Sequence, residues 1–387
     1  MRIAMLSDSY YPSRDGVVTS IATIRRSLES LGHEVWIVAP DPGEDLRTED
    51  DHVLWIRSVG FRMYKGYYVP VLPSADCSRM HALDLDILHV HGVATMTIRG
   101  LVLAHYLKIP VVMTFHTMVE ELVQRYSPVK IPQGRIKTLV WIYLNRIMKK
   151  MDAVIAPTEA IGREIAGHSP DIRLLRAIPT GVNTSVFRPG LDKGRFIEKY
   201  GLGDGKKIIF VGRLSFEKEI DMAIRAIRDL GCASLIVAGT GPQKEELEEL
   251  VRKLGLEDRV KFLGFVPDED LPYAYAAADV AISCSGFETQ GLSVLEAMAS
   301  GLPCACRNAR AFTSVIRDGE NGFLFDDEEG CTEAIKKALD AGEDVIESSL
   351  ATAREYSAES SAERTLELYM DVIKAKKKKR EEKECSI

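Results

Sequence analysis

The 387-residue sequence predicts an α/β protein of two halves, each a parallel sheet wrapped by helices, the two facing each other across a cleft. Three observations carry that expectation. From Ile3 onward, short apolar runs alternate with Gly-bearing loops and amphipathic stretches, the pattern of βαβ units. A second series of the same kind begins at Lys207. Between them lies the turn-rich stretch Ile178-Pro179-Thr180-Gly181-Val182-Asn183, followed by Phe187-Arg188-Pro189-Gly190, the best domain boundary in the chain.

In the first half, Ile3–Leu6 is a compact strand, and the loop after it opens a helix with Ile21, Ile24 and Leu28 on one face, ended by Gly32. Glu34–Ala39 is the next strand. Ligands of βαβ units lie beyond the carboxyl ends of the strands, so Gly16 stands where a backbone can approach a phosphate, or is a plain turn glycine. No G-x-G-x-x-G is present there, which removes a nicotinamide fingerprint. Residues 41–78 look irregular and hold a basic and aromatic patch at 61–68. Strands resume at Ile87–Val90 and Val111–Phe115. His89 and His91 alternate onto one strand face, where packed or hydrogen-bonded histidines are expected rather than metal ligands. His116 follows a strand at the ligand-binding edge and is expected to face the cleft.

Gln133–Met151 is an amphipathic helix, with Ile136, Leu139, Val140, Tyr143, Leu144, Ile147, Met148 and Met151 recurring every three to four residues. Arg135, Lys137, Arg146, Lys149 and Lys150 surround that stripe. Such a helix packs on a core with a solvated basic face, or docks on anionic lipid. Asp152–Pro157 closes the first sheet, and a helix at 158–167 follows.

In the second half, the strand Ile208–Val211 leads into the loop Gly212-Arg213-Leu214-Ser215-Phe216-Glu217-Lys218 and a helix with Ile220, Ala223, Ile224 and Ile227 on one face. Strands Ser234–Ala238, Val260–Leu263, Val280–Ile282 and Phe323–Phe325 continue the series, and helices fill the remainder. The domain limits are 1–186 for the first half and 187–354 for the second. A further helix is expected at 355–374, and a charged tail at 375–387 is expected to be solvated and frayed.

Lys+Arg 50 against Asp+Glu 57 gives a net charge of −7, which argues against a general nucleic-acid binder. Seven cysteines without a C-x-x-C pattern suit reduced cytosolic thiols. Cys304 and Cys306 are not expected to bind zinc, and Asp84-Leu85-Asp86 leads into a strand, so no metal site is expected. No apolar run of about 20 residues exists to span a bilayer.

The chemistry concentrates between Ser283 and Pro303. A strand end, a Gly-punctuated turn and a helix place the N–H groups from Thr289 to Ser293, through Gln290, Gly291 and Leu292, at a helix N-terminus suited to an anion. Glu288 and Glu296, eight residues apart, bracket that junction. Carboxylates repel phosphate but accept from sugar hydroxyls, so the pair suits a nucleotide-sugar. Arg213 and Lys218 would neutralise its diphosphate as the leaving group departs, in place of a metal. Taken alone, they would be expected to pair with Glu217 or Glu219.

These residues also resemble those of a family. The chain is similar to the retaining glycosyltransferases of GT-B fold that carry a Glu-x7-Glu signature, here Glu288 to Glu296. Pro12…Gly16-Val17, His116, Ile178–Val182, Gly212-Arg213-Leu214…Glu217-Lys218 and Glu296-Ala297-Met298-Ala299-Ser300-Gly301 support it. The resemblance implies that Arg213 and Lys218 hold the donor diphosphate, Glu288 the sugar hydroxyls and Glu296 the ribose. His116 would lie beside the transferred hexose, with Gly16 and Val17 near the phosphate. It implies an acceptor-binding first half, a nucleotide-sugar-binding second half and a helix at 355–374 that crosses back to the first half, with no cofactor and no enzymic nucleophile.

Glu288-Thr289-Gln290-Gly291 departs from the common Gly-Phe-Gly triplet. With Phe115-His116-Thr117-Met118…Glu120-Glu121, it resembles the diacylglycerol glucosyltransferases of the family. The expected reaction is transfer of glucose from UDP-glucose to a glycerolipid hydroxyl, with retention, by a cytoplasmic protein peripheral on the inner face of the cell membrane. Mannosyl transfer from GDP-mannose, a soluble acceptor, or a non-catalytic nucleotide-sugar-binding subunit are the alternatives.

Overall fold

The computed structural model describes residues 1–13, 15–60, 68–71, 77–116, 133–231 and 233–384. Most of the patch at 61–68, and Thr117, Met118, Glu120 and Glu121, lie outside them. The chain divides into two compact units: Met1–Gly181 with Ala358–Ile387, and Val182–Ser357. The divide follows Gly181 rather than residue 186, and the return to the first unit begins at Ala358 rather than 355. The reason is a tie between the entering and leaving strands of the second unit. Val182 donates its N–H to the Tyr356 carbonyl at 2.9 Å and bridges to Ser357.

The first unit is built on β1 (Arg2–Ser7), β2 (Glu34–Pro40) and β3 (Val53–Ile56), a small antiparallel pair β4 (Ser58–Gly60) and β5 (Tyr68–Pro70), then β6 (Ile87–His91), β7 (Val111–Thr114), β8 (Ala153–Ala156) and β9 (Leu175–Ala177). Its seven-stranded sheet runs β3-β2-β1-β6-β7-β8-β9, and every pair is parallel. The central strands are covered on both faces, which is why they read as continuous apolar runs. Ile3, Ala4, Met5 and Leu6 are fully buried. Leu6, Val90, Phe115 and Trp141 pack on one side, and Ile3, Met5 and Ile37 on the other. The edge strands β3 and β9 escaped the sequence reading because they are short and half-covered, without a clean apolar run.

The final helix, Ala358–Glu384, belongs to this unit and buries Ala362, Leu368, Tyr369 and Val372 in the same cluster as Ile3, Met5 and Ile21. It corrects the expected frayed tail. The helix runs through Glu384, with Lys376 paired to Asp152 at 3.0 Å and Lys378 to Glu382 one turn on at 3.9 Å. Helix Gln133–Met148 also departs from its expected stripe. Trp141, Leu144, Ile147 and Met148 are buried, whereas Leu139, Ile142 and Tyr143 are exposed.

The second unit holds β10 (Lys207–Val211), β11 (Ser234–Ala238), β12 (Val260–Gly264), β13 (Val280–Ser283), β14 (Cys304–Arg307) and β15 (Phe323–Phe325) in the order β12-β11-β10-β13-β14-β15, again all parallel. Strand β14 was not read from the sequence. Its Cys304 and Cys306 act as small buried apolar residues. Burial pushes the Cys304 thiol up to about 12, which holds it protonated. Among the described residues, no helix is long and apolar enough to cross a membrane.

Candidate active site

In the second unit the sheet's carboxyl edge is shaped by glycine. A Cβ on Gly239 would stand 1.8 Å from the Gly212 carbonyl oxygen, and one on Gly241 would stand 2.2 Å from that of Leu214. Only glycine lets the turn after β11 lie against the loop after β10. Hydrogen bonds fasten the two, from Gly212 N to Ala238 O (3.0 Å) and from Leu214 N to Thr240 O (2.9 Å). That loop carries Arg213, which is exposed, and ends in a short 3-10 turn, Phe216–Lys218.

Lys218 is paired with Glu288, seventy positions away in the chain, so the fold brings these two predicted site residues together. Neither neighbouring carboxylate takes that place. Glu217 accepts from the Ser215 hydroxyl at 2.5 Å, and Glu219 stands 3.9 Å from Arg307. Ser285, fully buried and passed over in the sequence, ties the two loops by donating to the Glu217 carbonyl at 2.8 Å. An ion pair of this depth, with 23% and 17% of the two side chains exposed, is less screened than a surface pair.

Helix Leu292–Ala299 starts at Gly291, whose φ of 79° is left-handed and whose Cβ would meet Phe312 at 2.5 Å. No side chain caps it, and its first backbone bond is from Val294 N to Gly291 O. By helix geometry the N–H groups that precede this bond have no intrahelical acceptor, and they follow Thr289 and the buried Gln290 directly in the chain. Glu296 lies further along the helix. The buried Tyr275 hydroxyl donates to its Oε2 at 2.8 Å. Burial pushes the Glu296 carboxyl up to about 7; the Tyr275 bond opposes the shift and the Asp268 charge adds to it. Tyr275 was not singled out from the sequence, since nothing in the spacing links it to Glu296.

In the first unit, Gly16 opens the helix Gly16–Ser30, with open space where a Cβ would stand. Its N-terminus is already capped. Asp15 accepts from Val17 N and Val18 N at 2.9 Å each, so the Val17 N–H is engaged by a carboxylate.

His116, half-buried just past β7, joins its Nε2 to Nδ1 of His91 at 2.9 Å, the rings stacked at 5.2 Å. Behind His91, His89 is held at both nitrogens, by the Tyr369 hydroxyl (2.6 Å) and the Thr114 hydroxyl (2.7 Å). The strand histidines are thus packed and hydrogen-bonded. Burial holds His116 down at about 4, with Asp15 pulling the other way, and holds His89 at about 3 and His91 well below its ordinary value. All three are neutral at pH 7. Asp8, just past β1, accepts from Met96 N (2.9 Å) and the Thr95 hydroxyl (3.0 Å) at the start of helix Thr95–Leu107, and it lies under Gly92.

Comparison with known proteins matches residues 14–186 to the glycosyltransferase family 4 model and residues 192–356 to the model for glycosyl transferases group 1. The chain is 33% identical to an α-monoglucosyldiacylglycerol synthase of Streptococcus pneumoniae, over 96% of this chain and 86% of the relative. It is 28% identical to an α-monoglucosyldiacylglycerol synthase of Acholeplasma laidlawii, over 98% and 99%. Among solved structures, a sucrose-phosphate synthase of Thermosynechococcus elongatus superposes with a TM-score of 0.77 at 21% identity, covering 97% of this chain and 99% of that one, a likeness of fold.

Proposed function

The chain belongs to the group 1 and family 4 glycosyltransferases, and from that premise we propose that it moves glucose from UDP-glucose onto a glycerolipid hydroxyl such as that of diacylglycerol. The observation that carries this reading is the near-full-length similarity to α-monoglucosyldiacylglycerol synthases. In this reading, Arg213, Lys218 and the N–H groups at Gly291–Ser293 take the diphosphate. Charge grows there as the bond from the sugar's anomeric carbon to phosphate oxygen breaks, so these groups stabilise the transition state without a metal. Lys218 exchanges Glu288 for the diphosphate, freeing Glu288 to accept from sugar hydroxyls, while Glu296 accepts from the ribose. Gly16 and Val17 serve the phosphate and His116 the hexose. The acceptor oxygen bonds to the anomeric carbon on the face the phosphate leaves, and its proton passes to the departing phosphate oxygen, which retains configuration.

A lipid acceptor calls for a surface that meets a membrane. Helix Gln133–Met148 exposes Leu139 and Ile142 beside Lys137 and Arg146. Helix Thr95–Leu107 exposes Ile98, Val102 and Tyr106 at four-residue spacing, one helical face. The two are joined where the Tyr143 hydroxyl donates to the Val93 carbonyl at 2.6 Å. Exposed apolar side chains with cations on the same helix suit peripheral attachment to anionic lipid.

A donor-by-acceptor screen tests the proposal, pairing UDP-glucose, UDP-galactose and GDP-mannose with diacylglycerol vesicles and a soluble sugar, with EDTA present. Lipid-soluble product from UDP-glucose is expected. Product only from GDP-mannose, or only in the aqueous phase, overturns the donor or the acceptor respectively.

A further inference from the structure

We infer that His91 is a positioning residue for His116, donating from Nδ1 to His116 Nε2 and so fixing the proton of His116 on its other nitrogen. The inference deepens the reading of His116 as the side chain beside the transferred hexose and rests on it.

A neutral imidazole has one N–H and one bare nitrogen. His91 Nδ1 and His116 Nε2 are 2.9 Å apart, so one must donate and the other accept. The other nitrogen of His91, Nε2, is buried with no hydrogen-bond partner among the described residues, in a side chain 2% exposed. If that nitrogen carried the proton, an N–H would be sealed away from any acceptor, and orphaned buried N–H groups are rarer than unpaired acceptors. The proton therefore belongs on Nδ1, which donates to His116 and leaves only a lone pair unpaired at Nε2.

The consequence falls on His116. Its Nε2 lone pair is spent on His91, so its proton sits on Nδ1. The residue then offers a hydrogen-bond donor to a sugar oxygen and has no lone pair left to act as a base. That agrees with a transfer in which the leaving phosphate takes the acceptor's proton. His89 gives the arrangement its rigidity. With both its nitrogens occupied it cannot turn, and its ring lies 4.0 Å from that of His91. Burial, which keeps all three rings neutral, also prevents a protonated His116 from confronting the His91 donor.

The test uses the full-length protein labelled with ¹⁵N, reading imidazole tautomers from long-range ¹H–¹⁵N spectra beside steady-state kinetics. His116 should show the Nδ1–H form from pH 6 to 8. In His91→Leu its pattern should move to the Nε2–H form, with kcat reduced about tenfold and donor KM within about twofold. His91→Asn, whose amide nitrogen stands near the place of Nδ1, should restore both the pattern and kcat. A role in packing alone would move neither tautomer nor rescue, and an unchanged backbone amide spectrum verifies the fold of each variant. The Nε2–H form in the parent, or an unaltered pattern in His91→Leu, overturns the inference. A switched tautomer with unchanged kcat overturns the role in transfer, and faults the placement of His116 beside the hexose rather than the hydrogen bond.

Discussion

The first unit builds its candidate site from neutral imidazoles, and the second builds its own from charges. His89 is held by two hydroxyls, and His91 and His116 by each other. Lys218 and Glu288 pair as ions, and Glu296 is a carboxyl poised between its two protonation states. The contrast fits the parts of the proposed substrate. A hexose offers hydroxyls, which neutral donors and acceptors meet well, while a diphosphate carries charge that only cations and N–H dipoles offset.

The largest test of that contrast is the pH dependence of stability. The histidine pKa values lie below their unfolded value near 6.5, so between about 6.5 and 4 the unfolded chain binds more protons and stability falls on acidification. His89 and His116 each contribute about 1.4 kcal/mol per pH unit inside that window, and His91, lowered by burial, acts in the same direction. Glu296 is raised from 4.5 to about 7, so across that interval the folded state holds the extra proton and stability grows as pH falls. Denaturant titrations from pH 7 to 5 should therefore weaken the first unit while the Glu296 contribution strengthens the second. Glu296→Gln should steepen the overall acid loss, and an identical pH profile in parent and variant would remove the contrast.

Next in size is Lys218→Ala. It deletes charge-assisted contacts of roughly 1.5–3 kcal/mol each, so kcat/KM should fall on the order of tenfold to a hundredfold. It also strands Glu288, so the double variant Lys218→Ala with Glu288→Gln should be more stable than the single one. Equal stability would mean that the ion pair matters little to the resting fold.

The smallest expected effect is on donor binding. Above about 7 Glu296 is a carboxylate able to accept from two ribose hydroxyls, and below it the protonated form accepts less. Donor KM should rise a few-fold from pH 8 to 6 in the parent, roughly one hydrogen bond's worth, and stay flat in Glu296→Gln. A parallel rise in both would place the titrating group elsewhere.

Much of the fold was legible because local pattern and burial agree in it. The central strands of both sheets are apolar runs ended by turn residues, and Gly212, Gly239 and Gly291 punctuate them where the backbone must bend or lie close. The spacing from Glu288 to Glu296 and the loop from Arg213 to Lys218 also stand in the sequence. Edge strands β3 and β9 did not, because a half-covered strand of three or four residues leaves too little period to detect. Strand β14 hid behind cysteines, whose chemistry drew attention away from their size. The helix through Glu384 hid behind a charge run that reads as solvated whether helical or frayed.

By itself, then, the sequence determined the two alternating halves, the family and the residues that carry its signature, since each depends on neighbours close along the chain. Only the tertiary structure decided the partners. Lys218 meets Glu288, Tyr275 meets Glu296, and His91 meets His116 across gaps of 70, 21 and 25 residues. Those partners set which ion is paired, which carboxyl is raised and which imidazole nitrogen is occupied. Protonation and hydrogen bonding answer to distance in space, and the chain's order does not encode that distance until the sheets have assembled.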